Sequence, residues 1–286
     1  MSALISTLFR NSTRFALIVL VFPLLAHAGL PQSANVPGGV AVIPLGSVSS
    51  NGDMPQAWFD EQPVLVTADH DQWHAVIGLP LSTAPGSYQL LVNFSNVTIR
   101  QDFVVNPKNY PEQRITLKDK SKVQLSKKDL ARANREIAVI KKLKLHWRAA
   151  PDTDLDFILP AEGRLSGDFG LRRIFNGEPR MPHAGIDVAL ATGTPVMASA
   201  RGQVLAVDDY FFNGKTIFID HGNGLITLYC HLDRIDVNAG DMVGKGQQIG
   251  LSGSTGRATG PHLHWSVILN GAMVDPGLFV PAKQDQ

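Results

Sequence analysis

HLHWSVI, residues 262–268, alternates an apolar face of Leu263, Trp265 and Val267 with a second face that carries His262 and His264. That period of two predicts a strand, and residues i and i+2 of a strand project side by side from one face of a sheet. Paired imidazoles of this kind are metal-site chemistry. Nearby in the last third of the chain, HAGID supplies His183 and Asp187, and YCHL supplies His231. Two imidazoles and a carboxylate hold a zinc ion while leaving one position for water, the arrangement of a catalytic rather than a structural site.

The spacings constrain the backbone around this cluster. In a strand from Leu225 to His231, Tyr229 and His231 share a face and Cys230 points the other way. Four residues of straight strand span roughly 13 Å, so the chain must bend between His183 and Asp187, and Gly185 allows it. Spacing does not assign roles. Two histidines, an aspartate and a water complete a tetrahedron, leaving two neutral imidazoles as general base or as donors to a developing oxyanion. There is no HExxH, and no glutamate lies beside a candidate ligand. His221, in IDHGNG, competes for a ligand position, but the Gly-Asn-Gly beside it marks a turn and favours a structural role. Asp69, His70, Asp71 and His74 read as a solvated hairpin rather than a second metal site.

Around these residues run GRLSGDFGLRR, HAGIDVALATGTPVMASARGQV, DHGNGLITLYCHL, GDMVGKGQQIGLSGSTG and ATGPHLHWSV. From about Phe157 to Pro276 the chain thereby resembles the M23 family, the LytM or lysostaphin-type zinc metalloendopeptidases that cut peptide cross-links in bacterial cell walls. The resemblance implies a cofactor, Zn2+, held by His183, Asp187 and His264, and catalytic roles for His231 and His262. It also implies peptidoglycan stem peptides as the partner. NAGDMVGKGQQIG is shared in pattern with biotinyl and lipoyl carriers, but no methionine-lysine-methionine hairpin is present and a carrier has no use for the metal cluster. A second alternative is a non-catalytic wall-binding regulator that activates a cell-wall amidase. The complete ligand set favours the enzyme.

The chain start sets the expected compartment. Arg10 and Arg14 precede an apolar run from Phe15 to Leu25, and Ala26-His27-Ala28 offers a cleavage site before Gly29. The run is short for a membrane span, so residues 1–28 are expected to be a signal peptide, and the product periplasmic or secreted without a stable membrane anchor. No cysteine follows that site directly, and the single cysteine, Cys230, can form no intramolecular disulfide. Net charge is +1, and loss of residues 1–28 removes two arginines and no acid, which argues against a nucleic-acid partner. A Gram-negative periplasm implies cross-links from D-alanine to meso-diaminopimelate, hence D,D-endopeptidase activity, with a glycine bridge as the weaker substrate.

The 286 residues, 44% of them hydrophobic, suffice for two domains. Segments Val40–Leu45, Val64–Thr67, Trp73–Ile77, Tyr88–Phe94 and Val97–Val104 are rich in β-branched and aromatic residues and are separated by turn formers. APGSYQLLVNF resembles the closing strands of immunoglobulin-like bacterial modules. Between Lys108 and Arg148 thirteen basic residues face four acidic ones, and there Ser126 caps a helix whose stripe is Leu130, Ala133, Ile137, Ile140 and Leu143. The basic stretch reads as a solvated helix face and linker, or as a docking segment for a carboxylate-bearing polymer. The expected class is mainly β: an N-terminal Ig-like β-sandwich module (29–106), a basic linker with a connecting helix (107–155), a C-terminal all-β LytM-type peptidase domain (156–280) and a tail (281–286). Leu171–Pro182 reads as a loop leading into His183, in which Asn176 is a conceivable metal cap but Asn176-Gly177 more simply a turn.

Overall fold

VAVI at 40–43 and VLV at 64–66 are continuous apolar runs, the pattern of strands covered on both faces. The computed structural model, which describes residues 29–48, 53–95, 97–116 and 125–281, shows what covers them. Strands β1 (Val40–Ser47), β2 (Gln56–Phe59), β3 (Gln62–Asp69), β4 (Gln72–Gly78), β5 (Gly86–Phe94) and β6 (Val97–Val105) form an antiparallel sheet of order β1-β4-β3-β2-β5-β6. It turns a corner in β3, which pairs with β2 through Gln62–Val64 and with β4 through Leu65–Asp69. The two halves therefore close as a sandwich over Ala41, Ile43, Val66, Ile77, Leu90 and Phe103. The other face of the β1-β4-β3 half sends Val40, Leu65 and Val76 into the core of the C-terminal domain. Module and C-terminal domain thus share one hydrophobic interior. The expected signal segment and nearly all of the tail lie outside the described residues.

The connecting segment contains more than a helix. β7 (Glu112–Ile115) precedes α1 (Lys127–Lys144). Ser126 accepts a hydrogen bond from the Asp129 amide at 3.1 Å, and three lysines occupy the last turn, where they meet the negative end of the helix. The buried stripe differs from the expected one. Ala133, Ile140 and Leu143 pack on the sheet, whereas Leu130 and Ile137 are half exposed. Glu136 takes the place expected for Ile137, because its carboxylate accepts the Phe211 amide at 2.6 Å and Arg132 at 2.6 Å. After the helix, Ala150 and Leu155 are buried against the C-terminal domain.

That domain is all-β: β8 (Arg164–Gly167), β9 (Arg172–Phe175), β10 (Glu178–Pro179), β11 (Ile186–Ala189), β12 (Pro195–Met197), β13 (Gly202–Tyr210), β14 (Gly214–Gly222), β15 (Leu225–Ile235), β16 (Met242–Val243), β17 (Gln248–Ser252), β18 (His262–Leu269) and β19 (Ala272–Val274). The main sheet runs β16-β13-β14-β15-β18-β11-β8, and β12, β17 and β19 pair beside it. One face packs Tyr229, Leu263, Trp265 and Val267 into the principal core, and the other packs Phe218, Cys230 and Ile268 beneath α1. The segment leading into His183 is a β-hairpin rather than a loop. β9 and β10 turn at Asn176-Gly177, both with positive φ, and β9 pairs in parallel with β7. No helix among the described residues is long and apolar enough to cross a membrane.

Candidate metal centre

Strand pairing, more than sequence proximity, assembles the site. Asp187 on β11 lies directly opposite His264 on β18, and Ala189 lies opposite His262. Alternation sends Leu263 and Trp265 into the core, which leaves both histidines and Asp187 on the outer face. His183 precedes β11 and is fixed by two backbone hydrogen bonds: its amide donates to Leu171 (3.0 Å) and its carbonyl accepts from Gly170 (2.8 Å). His183 Nε2 then stands 3.0 Å from Asp187 Oδ1 and 3.0 Å from His264 Nδ1, with His264 Nδ1 2.9 Å from Asp187 Oδ1. Among the described residues these three form a cluster able to hold a metal ion.

The donor set fits zinc. Tetrahedral bonds of ~2.0–2.2 Å place donors roughly 3.3–3.5 Å apart, so the three atoms need only spread by a few tenths of an ångström. The outer hydrogen bonds present the right lone pairs. His183 Nδ1 lies 2.9 Å from the Asp168 carbonyl, which only accepts, so Nδ1 carries the proton and Nε2 is free for a ligand. His264 Nε2 meets Ser266 Oγ at 2.9 Å, leaving Nδ1 toward the cluster. Burial by itself raises the Asp187 pKa, but hydrogen bonds from His183 and His264 outweigh it and hold the carboxyl well below its usual range. Burial lowers the His183 pKa, and Asp187 more than reverses that, leaving it raised.

Gly185 acts by lacking a side chain rather than by an unusual backbone. A Cβ there would meet Ser266 Oγ at 2.4 Å, the Trp265 carbonyl at 2.5 Å and His264 Cε1 at 2.8 Å. Gly167 does the same for Asp187, whose Oδ2 would sit 2.4 Å from a Cβ. The Asp168 carbonyl, Ser266 and Gly167 were not legible as site residues. Only the adjacency of Gly167 and Asp168 in SGDFG, and of Ser266 to the histidine pair, could have flagged them.

His231 reaches the cluster through a break in its strand. Tyr229 and Leu232 both face the principal core and Cys230 the opposite side, so simple alternation fails between them. The pairing explains why: β15 advances from Tyr229 to Leu232 while β14 advances only from Ile217 to Lys215, a β-bulge with His231 at φ 62°. Sharing a face with Tyr229, as the sequence predicts, would bury His231 in the core. The bulge instead brings its ring to 4.6 Å from that of His262 and 6.2 Å from that of His264. His231 Nδ1 lies 2.9 Å from the Thr255 carbonyl and His262 Nδ1 lies 2.8 Å from the Gly260 carbonyl. Both rings therefore keep a basic Nε2, and that of His262 is 3.8 Å from Asp187 Oδ1. Burial lowers the His231 pKa to about 4, which keeps this imidazole uncharged at neutral pH.

The remaining titratable candidates lie elsewhere. His221 is buried in β14, with Nδ1 2.8 Å from the Arg201 carbonyl and Nε2 2.8 Å from Thr227 Oγ1, a structural role. Asp69, His70 and Asp71 turn the β3–β4 hairpin, with His70 at φ 52°. Cys230 is buried, and burial pushes its thiol up to about 12, so it is inert.

Comparison with known proteins bears on the whole arrangement. Residues 181–276 match the model of peptidase family M23, and residues 33–108 match the model of the M23 N-terminal domain. The peptidoglycan DD-endopeptidase ShyA of Vibrio cholerae is 44% identical over 113 residues, which is 39% of this chain and 26% of that protein. The DD-carboxypeptidase/endopeptidase Mpg of Neisseria meningitidis is 42% identical over 113 residues, 40% of this chain and 26% of that protein. The match thus spans about a quarter of the length of these curated relatives. A Pseudomonas aeruginosa crystal structure assigned to peptidase M23 is 40% identical and superposes over 86% of this chain and 95% of that one, with a TM-score of 0.73. Because that relative is matched along nearly its entire length, front module included, the chain belongs to peptidase family M23, whose members are zinc metallopeptidases.

Proposed function

We propose that this chain is a zinc-dependent endopeptidase that hydrolyses peptide cross-links of peptidoglycan in a Gram-negative periplasm, at bonds between D-alanine and meso-diaminopimelate. The observation that carries the reading is the convergence of His183 Nε2, His264 Nδ1 and Asp187 Oδ1 within about 3 Å of one another, beside two further imidazoles with free Nε2 atoms. The relatives named as peptidoglycan DD-endopeptidases support the substrate. The supporting division of labour is a module at 29–106, a connector at 107–155 and the peptidase at 156–280.

In this reading His183, Asp187 and His264 hold the zinc. When bound, zinc lowers the pKa of water in its open position toward ~7 and polarises a carbonyl placed against it. The chain does the rest. His231 and His262, each with Nδ1–H donated to a backbone carbonyl, direct Nε2 at the reacting centre. One of them accepts the proton of the attacking water at Nε2, and the Nε2–H so formed then donates to the oxygen that gains charge or passes to the departing amine. Asp187 stays ionised because two imidazoles hydrogen-bond to it, so the carboxylate itself needs no proton loss at neutral pH.

Digestion of purified sacculi with mass spectrometry of the released fragments tests the reading. Cleaved D-alanyl-diaminopimelate cross-links are expected. Release of glycan fragments with intact peptides would overturn it.

A further inference from the structure

The outer face of the front module carries a feature that the metal centre does not use. Residues facing inward on β2, β5 and β6 form the sandwich core, and the alternate residues face solvent. Strand register sets them in rows: Trp58 lies opposite Leu91, which lies opposite Arg100, and Asn93 lies opposite Thr98. Together with Gln89 they line a depression of about 490 Å³ that shares no residue with the histidine cluster. At its rim stand Asp60 and Glu61, two consecutive non-glycine residues with φ of 45° and 64° in the turn from β2 to β3.

The chemistry of this depression narrows its ligand. Two carboxylates against one guanidinium oppose a polyanion such as nucleic acid or an anionic lipid surface. An apolar partner would cut the Asn93 amide, the Thr98 hydroxyl and three charges off from water, whereas Gln89 already donates to Asp102 at 2.9 Å. An uncharged, polyhydroxylated ligand fits both constraints. A sugar ring offers a C–H face to the indole and Leu91, and its hydroxyl and acetamido groups both donate and accept, as Asn93 and Thr98 do. We propose that this depression is a second site, which binds an N-acetylated glycan strand. Its identity with the glycan of the wall polymer rests on the function proposed above.

Titration calorimetry of the full chain with chitotetraose, against maltotetraose as the sugar without acetamido groups, tests the proposal. Chitotetraose is expected to bind and maltotetraose to bind more weakly. Trp58→Ala should weaken binding roughly tenfold or more, as loss of a stacked aromatic surface requires. Trp58 is half-buried, so Asn93→Ala/Arg100→Ala, at exposed positions, serves as a second variant that leaves the core intact and should also weaken binding several-fold. Both variants should cleave a soluble cross-linked muropeptide at the unaltered rate. Absence of chitotetraose binding, or binding unchanged in both variants, overturns the proposal. Binding lost in the variants of a protein that cleaves no muropeptide would uphold this site while removing the endopeptidase reading.

Discussion

Gly185→Ala isolates the role of close backbone approach in building the metal centre. The added Cβ would lie 2.4–2.8 Å from Ser266 Oγ, the Trp265 carbonyl oxygen and His264 Cε1, all three on β18. Ordinary contact begins near 3.4 Å, so the segment carrying His183 must retreat from β18 by roughly 0.6–1.0 Å; the Trp265 carbonyl is backbone and cannot rotate aside. Metal sites tolerate about 0.2 Å in ligand distance, so the triangle of 2.9–3.0 Å edges is pulled out of range. Overpacking of this kind costs about 1–3 kcal/mol, which corresponds to roughly 5- to 150-fold in zinc affinity. Competition with a chromophoric chelator measures that loss directly. Gly244→Ala is the control, because a Cβ there meets nothing within 4 Å and its φ is ordinary. Wild-type zinc affinity in Gly185→Ala would refute the close-approach argument.

Other perturbations separate the remaining roles. His231→Ala should lower turnover by roughly 10²- to 10⁴-fold while one zinc per chain remains bound by atomic absorption; loss of zinc instead would make His231 a ligand. His221 has its pKa lowered to about 4 by burial, below the ordinary value of 6.5, so its contribution to stability is complete above pH ~6.5 and is lost as pH falls toward 4. Denaturant unfolding at pH 7 and pH 5 should show a wild-type loss of on the order of 2 kcal/mol from this group, absent in His221→Gln; parallel losses would disprove the assignment. Asn270→Gly tolerates the left-handed backbone at φ 42° but removes the amide that grips Gly78 N at 2.6 Å and Gly78 O at 3.1 Å. It should cost about 1–3 kcal/mol in thermal unfolding, and an unchanged midpoint would show that the interface does not depend on this pair.

What was legible in the sequence follows from what carries periodicity. HLHWSVI announces its strand and its two-histidine face because alternation survives when one face is buried. The helix cap at Ser126 was equally plain, since capping is local chemistry. The stripe above it misled at Ile137 because the Phe211 amide needed an acceptor, and a tertiary hydrogen bond to Glu136 outweighs the burial of one isoleucine. His231 failed the alternation rule for a related reason: an extra residue in β15 is set by its neighbours and leaves no mark in YCHL. β7 and the β9–β10 hairpin were hidden because EQRI is largely polar and exposed and RRIF opens with two arginines, so neither carries the apolar alternation that announces a strand. Asn176-Gly177 was the exception, a turn signal that the hairpin honours.

The shared interior of module and peptidase changes how the two could be recombined. Val40, Leu65 and Val76 leave the sandwich to fill space behind the catalytic sheet, so the front half is no detachable accessory strung on a tether. Grafting this sandwich onto an unrelated hydrolase would strip those three aliphatic side chains of cover and tear a hole in the donor. Chimeras built on this scaffold must carry the junction across intact, as one would move a keystone together with its arch.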